Sequence, residues 1–122
     1  MAKSKEGAIK KEIKDMLLKR GASFFPIPGG SYGMQGAPDM VACYRSRFIA
    51  IEGKTPTGVQ AEAQKDREEW VLDSEGRYVL GRSVPIVEAV LDEIDREIEE
   101  IESLRKLRED LCGEHPADSD LQ

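Results

Sequence analysis

Two short apolar runs separated by a polar turn limit what this chain can fold into more than any other feature of its sequence. Residues 39–44 read DMVACY and residues 48–52 read FIAIE, with Arg-Ser-Arg between them. Apolar runs of this length, joined by a short polar connection, are typical of a β-hairpin. Because the apolar content of both runs is nearly continuous, we expect the two strands to be covered on both faces.

The segments around this hairpin alternate between helical and extended patterns. In the first helix, apolar side chains recur every three to four residues opposite a row of lysines, and a loop with four glycines over residues 29–38 precedes the hairpin. This order predicts an α/β domain with a central mixed sheet of about four strands, flanked by helices. The predicted elements are a helix over residues 5–20, a strand over 23–28, the hairpin over 39–52, a helix over 60–73, a strand over 77–81 and a long helix over 85–111.

Length and composition indicate one globular domain. The chain has 122 residues, 39% of them hydrophobic, and none of its apolar runs approaches the roughly 18 residues that span a membrane. We expect a single domain over residues 1–112, with its core in residues 5–83, followed by a tail over residues 113–122 whose polar composition predicts disorder. Two cysteines without a disulfide pattern favour an intracellular compartment, and a single histidine, His115, argues against a zinc site or a histidine-activated nucleophile.

The net charge of −6 is distributed unevenly along the chain. Residues 1–83 contain 14 Lys and Arg against 11 Asp and Glu, whereas residues 84–122 contain 4 against 13. The first part can therefore meet an anionic partner, while the C-terminal part would repel one.

Three charged residues sit at the open end of the hairpin, away from its turn. Side chains alternate faces along a strand, so Glu52 and Lys54 project on the same side. Antiparallel pairing centred on residues 45–46 brings position 39 opposite position 52, which places Asp39 beside Glu52. The sequence therefore predicts that two carboxylates and one ammonium group converge at one place.

Such a cluster suits a divalent cation. Two neighbouring carboxylates resist joint ionisation unless a cation lies between them, and oxygen ligands favour Mg²⁺ or Mn²⁺. The backbone carbonyl of Gly53 can supply a further oxygen, and Lys54 can orient an attacking water or stabilise charge that develops on a phosphate. These parts fit the hydrolysis of a phosphodiester. The simpler interpretations are that Asp39 is a turn residue and that Glu52 and Lys54 form an exposed ion pair.

The same residues resemble a known nuclease signature. Pro38-Asp39, a gap of twelve residues and Glu52-x-Lys54 resemble the PD-(D/E)XK nuclease superfamily, and the longer string GAPDMVACYRSRFIAIEGKTPTGVQAEAQKD is similar to the VRR-NUC family within it, over about residues 5–83. The resemblance implies a restriction-endonuclease-like core and a Mg²⁺-dependent endodeoxyribonuclease, with Mn²⁺ able to substitute, that acts on branched or structured DNA such as Holliday junctions. Small stand-alone members occur in phages and bacteria, which implies the cytoplasm of a bacterial or phage-infected cell.

The resemblance also assigns roles to individual residues. Asp39 and Glu52 would hold the metal and Lys54 would be the catalytic lysine, while Gln64 matches a glutamine that lies near the site in the helix after the core motif. Glu6 matches an acidic residue of the first helix that completes the metal shell. Its simpler interpretation is a first-turn acid that interacts favourably with the helix dipole.

Other positions match the family less closely. Glu12 is a second candidate for the acidic residue of the first helix, and Gly36 matches the glycine before Pro-Asp. The Val-Arg-Arg signature of the family is not present as such. Val79 and Arg82 are its nearest counterparts, so the resemblance assigns no role to Arg82.

Five residues are candidate contacts to DNA. Lysines of the first helix can follow a phosphate backbone and arginines of the hairpin turn can contact a phosphate, although both groups can equally be solvated surface charges. An aromatic residue in the glycine loop is better placed to touch nucleic acid than Trp70, which we expect in the core. The candidates are Lys10, Lys11, Tyr32, Arg45 and Arg47.

The apolar stripe of the C-terminal helix continues past the length that a small sheet can cover. Ile94, Ile101 and Leu104 approximate heptad spacing, so a partner helix would bury the far half of the stripe. We expect a homodimer, whose two-fold symmetry would suit a two-fold-symmetric branched DNA.

Two other functions fit the same sequence. A non-catalytic module would use the basic face to hold DNA, or the long helix to recruit a partner. Alternatively, a nuclease with the same chemistry would act on simple duplex or flap ends.

Overall fold

The computed structural model describes residues 5–28 and 35–113. The predicted order of elements is confirmed, with ends that move by at most a few residues. None of the helices in this part of the chain has the length and apolar content that crossing a membrane requires. The elements are α1 (Lys5–Lys19), β1 (Ser23–Pro26), β2 (Met40–Tyr44), β3 (Arg47–Gly53), α2 (Glu62–Asp73), β4 (Arg77–Gly81) and α3 (Val84–Cys112).

The four strands form one mixed sheet in the order β1-β2-β3-β4. The first three strands are antiparallel neighbours, and β4 pairs parallel to β3 after the crossover through α2. The hairpin connection contains two residues with positive φ, Arg45 at 50° and Ser46 at 72°, as two-residue hairpin turns require. This turn sets Met40 opposite Ile51, so the next pair outward is Asp39 and Glu52.

The chain divides into two units, Met1–Leu91 and Asp92–Gln122. In the first unit, α1 contacts β1, β3 and β4. Gly81 of β4 permits this close packing, because a Cβ there would lie 2.7 Å from Cδ1 of Ile13. Each fully buried aliphatic side chain contributes about 1.5–3 kcal/mol to folding. The largest fully buried side chains of this unit are Ile13, Leu17, Met40, Ile49, Ile51, Val87 and Leu91.

The expectation that both hairpin strands are covered on both faces is wrong near the turn. Residues from Ile49 to Gly53 are buried, but Cys43 is exposed and Phe48 is 48% exposed. The expected core position of Trp70 is also wrong, since its side chain is 60% exposed. The apolar residues at positions 70–72 are consecutive, so they spread around α2 and cannot all face the sheet.

Candidate metal centre

The hairpin and α1 bring three carboxylates together. Asp39 precedes β2 and Glu52 lies near the end of β3, where the hairpin register sets them side by side. Glu6 comes from the first turn of α1. One oxygen of each of these three residues lies within 4.8 Å of the other two, which is close enough for a single cation to contact all three.

Helical spacing explains why Glu6 joins the cluster and Glu12 does not. Glu6 and Lys10 lie seven and three residues before the buried Ile13, so they continue its apolar face towards the end of the sheet. Glu12 is exposed and lies on a different side of the helix.

Glu52 is the most buried of the three acids, with only 2% of its surface exposed. Burial, and then the neighbouring charge of Asp39, raises its pKa from the ordinary 4.5 to about 7, although Lys54 and Lys10 oppose this shift. Oε1 of Glu52 accepts a hydrogen bond from Nε2 of Gln64 at 2.8 Å. Oε2 is buried and has no hydrogen-bond partner among the described residues.

A backbone amide of the neighbouring strand β3 holds the side chain of Asp39. The amide N–H of Gly53 donates a hydrogen bond to Oδ2 of Asp39 at 2.6 Å. A Cβ at position 53 would lie 2.8 Å from Cγ of Lys10 and 3.3 Å from this same Oδ2. Glycine is therefore the residue that leaves room for both groups.

Lys10 places its ammonium group among the acids. Its Nζ lies 3.0 Å from Oδ1 of Asp39 and 3.3 Å from Oε1 of Glu6. Burial acts to lower the pKa of Lys10, but the hydrogen bonds and charges of Asp39 and Glu6 outweigh burial and raise it. The lysine thus occupies a position where positive charge is favoured.

The residues present fit a divalent cation. A buried carboxylate oxygen without a partner normally costs free energy, and an oxygen-rich cluster that already attracts an ammonium group is complementary to a hard cation. The donor set consists of carboxylates, which suits Mg²⁺ or Mn²⁺ better than a metal that prefers nitrogen or sulfur ligands.

Lys54 follows Gly53 at the end of β3, and its N–H donates to the carbonyl of Gly81 at 3.2 Å. Arg82 donates hydrogen bonds to the loop that follows Lys54 and leads to α2. Nη1 of Arg82 donates to the carbonyls of Thr55 at 2.8 Å and Gly58 at 2.7 Å. Arg82 therefore holds in place the loop that starts beside Lys54.

The first turn of α2 orients the side chain of Gln64 toward Glu52. Its Oε1 accepts a hydrogen bond from the N–H of Ala61 at 2.9 Å, which leaves Nε2 for Glu52. Gly36 lies against this turn with φ of 79°, and a Cβ at that position would collide with the carbonyl of Ala63. The segment before Asp39 and the helix that carries Gln64 consequently meet at this glycine.

Several predicted residues do not meet at the cluster. Arg45 and Arg47 lie at the turn, at the opposite end of the hairpin, about 20 Å from Asp39 for six residues of extended chain. Lys11 is exposed and pairs with Asp15 at 3.7 Å. Tyr32 lies outside the described residues.

Sequence reasoning missed two contributions. The sequence predicts Lys10 only as a DNA contact, although its helical spacing from Ile13 indicates that it shares the buried face. Arg82 had no role, and no local pattern points to its bonds with carbonyls more than twenty residues away.

The sheet order, the parallel β4 and the acidic cluster at the open end of the hairpin define a restriction-endonuclease-like α/β fold. The chain resembles a solved structure described as "VRR_NUC domain", with a TM-score of 0.62 and 18% sequence identity, over 74% of this chain and 97% of that one. The fold that the sequence resemblance implied is thereby confirmed. No protein-family model and no curated protein matches the sequence.

Proposed function

We propose that this protein is a metal-dependent endodeoxyribonuclease of the VRR-NUC type. The observation that carries the proposal is Glu52, a buried carboxyl group with one unpartnered oxygen beside two further carboxylates. A surface that only held DNA would gain nothing from concentrating negative charge at this point, because the DNA backbone is itself anionic. A cation between the acids and a phosphate removes this conflict.

Glu6, Asp39 and Glu52 would hold the ion, which we expect to be Mg²⁺ with Mn²⁺ as a substitute, and the carbonyl of Gly53 would be a further ligand. When bound, such an ion supplies positive charge that polarises a phosphate and lowers the pKa of water. Gln64 orients Glu52 through its hydrogen bond, and the Gly53 amide orients Asp39.

Lys54 is the proposed catalytic lysine. Its ammonium group would orient the attacking water and stabilise the charge that builds up on the phosphate as the new P–O bond forms and the bond to the leaving oxygen breaks. The water loses a proton to solvent or to a neighbouring base, and the leaving oxygen gains one. Arg82 supports this step indirectly by fixing the loop after Lys54.

The favoured substrate is branched DNA such as a Holliday junction, cut by a homodimer that pairs through α3. The far half of this helix exposes apolar side chains, which supports pairing with another helix. Simple duplex or flap ends are the second substrate class. The proposed DNA contacts are Lys10, Lys11, Tyr32, Arg45 and Arg47.

A cleavage panel tests the proposal. We expect the purified protein to cut at least one of a four-way junction, a flap and a linear duplex with Mg²⁺ or Mn²⁺, and to cut none of them in EDTA. Glu52→Gln and Lys54→Ala should each reduce the rate by about 100-fold or more, because each removes a group that acts in the transition state.

Matched controls come from the same chain. Glu62→Gln and Lys65→Ala remove an acid and a lysine from an exposed ion pair on α2, and both should keep the parental rate. If wild-type protein retains DNA but cuts no substrate with either metal, it is a binding module and the nuclease proposal fails.

A further inference from the structure

An open apolar groove lies between the sheet and α2. It consists of two adjoining cavities of about 360 and 330 Å³ that share Phe48, Trp70 and Val71. The two aromatic side chains are well exposed, Phe48 by 48% and Trp70 by 60%, and contiguous apolar surface of this kind is typical of an interaction site. We call this surface the aromatic groove, and its lining side chains include Ile27, Pro38, Val41, Phe48, Trp70 and Val71.

Arg67 brings positive charge to the aromatic groove. Its guanidinium carbon lies 4.0 Å from the centre of the Trp70 ring, and its Nε donates a hydrogen bond to the carbonyl of Gln35 at 3.2 Å. Among the described residues that line the two cavities, Arg67 is the one that carries a charge. The groove therefore combines aromatic surface with a cation, a pairing that suits a nucleotide.

The aromatic groove begins beside the acidic cluster. Pro38 lines the groove, and the next residue is Asp39. On β3, Phe48 lies four residues before Glu52, about 13 Å along the strand, and the alternation of side chains places both on the same face of the sheet. A DNA strand with one phosphate at the acids therefore has neighbouring nucleotides within reach of the groove.

We propose that the aromatic groove binds an unpaired base of the DNA strand whose phosphate lies at the acidic cluster. Every base presents a π face, so stacking on Phe48 and Trp70 requires no particular sequence. A base inside a duplex must first leave its stack, whereas a flap or a branch point supplies one at lower cost. The inference rests on the proposed nuclease function, and it narrows the substrate to DNA with unpaired or easily unstacked bases beside the cut.

A protein segment is the competing occupant, because aromatic residues and arginine are also enriched at protein interfaces. The position of the groove argues against it. A protein seated there would start one residue from Asp39 and would obstruct the substrate, whereas a stacked base adds affinity beside the phosphate to be cut.

The fluorescence of Trp70 tests base binding directly, because Trp70 is the single tryptophan of the chain. A short single-stranded oligodeoxynucleotide is added at low salt, once in EDTA and once in Ca²⁺, which neutralises the acids. We expect saturable quenching as a base stacks on the indole. An abasic oligonucleotide of equal length carries the same phosphate charge. It should bind about tenfold more weakly and leave the emission nearly unchanged. A gel run after each titration verifies that the DNA is intact.

Two variants remove an aromatic ring and keep an apolar side chain. Phe48→Leu and Trp70→Leu should each weaken binding of the base-bearing oligonucleotide by about fivefold or more, as measured by the anisotropy of a dye on the DNA. Their affinity for the abasic oligonucleotide should equal that of wild type, which also verifies that they are folded. Leu72→Ala is the matched control, since it changes an exposed apolar residue of α2 outside the groove, and it should alter neither affinity.

Equal affinity of wild-type protein for the two oligonucleotides, or base-bearing DNA that binds without changing the emission of Trp70, would overturn the inference. So would groove variants that bind both oligonucleotides as wild type does. If these variants also sediment as smaller species than wild type, a second copy of the chain covers the groove instead of a base. No reading depends on cutting, so a failure here leaves the nuclease proposal standing. A protein that prefers bases but cuts nothing would keep the base site and lose the nuclease proposal.

Discussion

At Glu52, burial in the fold favours a neutral carboxyl group, whereas binding a cation requires an ionised one. Folding places a carboxyl group where only 2% of its surface reaches solvent, and leaves one of its oxygens without a described partner. The resulting rise in pKa to about 7 means that the folded protein prefers this group protonated below neutral pH. A cation reverses that preference, because it stabilises the ionised form.

The raised pKa of Glu52 predicts a pH-dependent stability in EDTA. A carboxyl group whose folded pKa exceeds its unfolded pKa stabilises the protein fully below the unfolded value, near 4.5, and this contribution is lost as the pH rises through about 7. Relative to Glu52→Gln, the wild-type protein should therefore lose up to about 3 kcal/mol of unfolding free energy between pH 4.5 and 8.

Urea unfolding of both proteins across this range measures the difference, and the comparison cancels groups that titrate in both. The Glu62→Gln variant, which removes an exposed carboxylate on α2, is the matched control. A difference between wild type and Glu52→Gln that stays constant with pH would show that this carboxyl titrates normally.

Lys10 is predicted to compete with the metal. Its ammonium group lies 3.0 Å from Asp39 and 3.3 Å from Glu6, so an incoming divalent ion must displace it from both acids. Lys10→Met should bind Mn²⁺ several-fold to tenfold more tightly than wild type, as measured by calorimetry or by the loss of the free-Mn²⁺ resonance signal.

Lys11→Met is the matched control, because it removes the same charge one residue away, where the lysine pairs with Asp15 outside the cluster. Its Mn²⁺ affinity should stay within about twofold of wild type, in keeping with the weak effect of exposed charges. If Lys10→Met weakens Mn²⁺ binding as much as Glu6→Gln does, Lys10 supports the site rather than competing for it.

For the secondary-structure elements, the local sequence pattern predicts those contacts that depend on local backbone geometry. A two-residue turn fixes the register of a hairpin, so the meeting of Asp39 and Glu52 followed from their positions along the chain. Whether Lys10 reaches Asp39 depends on how α1 is rotated against the sheet. The hydrogen bond from Arg82 to the carbonyl of Thr55 depends on the path of the loop between β3 and α2. Such contacts join distant segments, and spacing alone does not specify them.

The junction of the Pro38-Asp39 segment with α2 depends on Gly36. Its φ of 79° is a conformation that L side chains rarely adopt, and a Cβ would also collide with the carbonyl of Ala63. Gly36→Ala should therefore destabilise the protein by more than the roughly 1–2 kcal/mol that left-handed backbone alone costs. Urea unfolding measures the change.

Gly21 provides the comparison, since its φ is 81° and a Cβ there would meet no atom within 4 Å. Gly21→Ala should show the backbone cost without the collision. Equal losses for the two variants would mean that α2 moves aside freely, and the proposed positioning of Gln64 by this contact would be wrong.

Over the whole molecule, the two units differ in charge. Residues 1–91, which carry the sheet and the acidic cluster, contain 14 basic and 12 acidic residues, whereas residues 92–122 contain 4 and 12. The negative charge of the second segment disfavours DNA there, so the proposed pairing through this segment would leave the first unit for the substrate.

If pairing and catalysis are separate, the dimer should change the products rather than the chemistry. On a supercoiled plasmid with an extruded cruciform, two sites in one complex can cut both strands before dissociation, because the second cut is intramolecular. Wild-type protein should give linear DNA as its early product. A variant with Leu104→Glu and Leu107→Glu places charge in the exposed apolar row of α3. We expect this variant to be monomeric and to give mainly nicked circles, while its rate on a simple nickable substrate stays near that of wild type. Early nicked circles from wild-type protein, once its dimer is verified by sedimentation, would show that the paired chains do not act on one junction together.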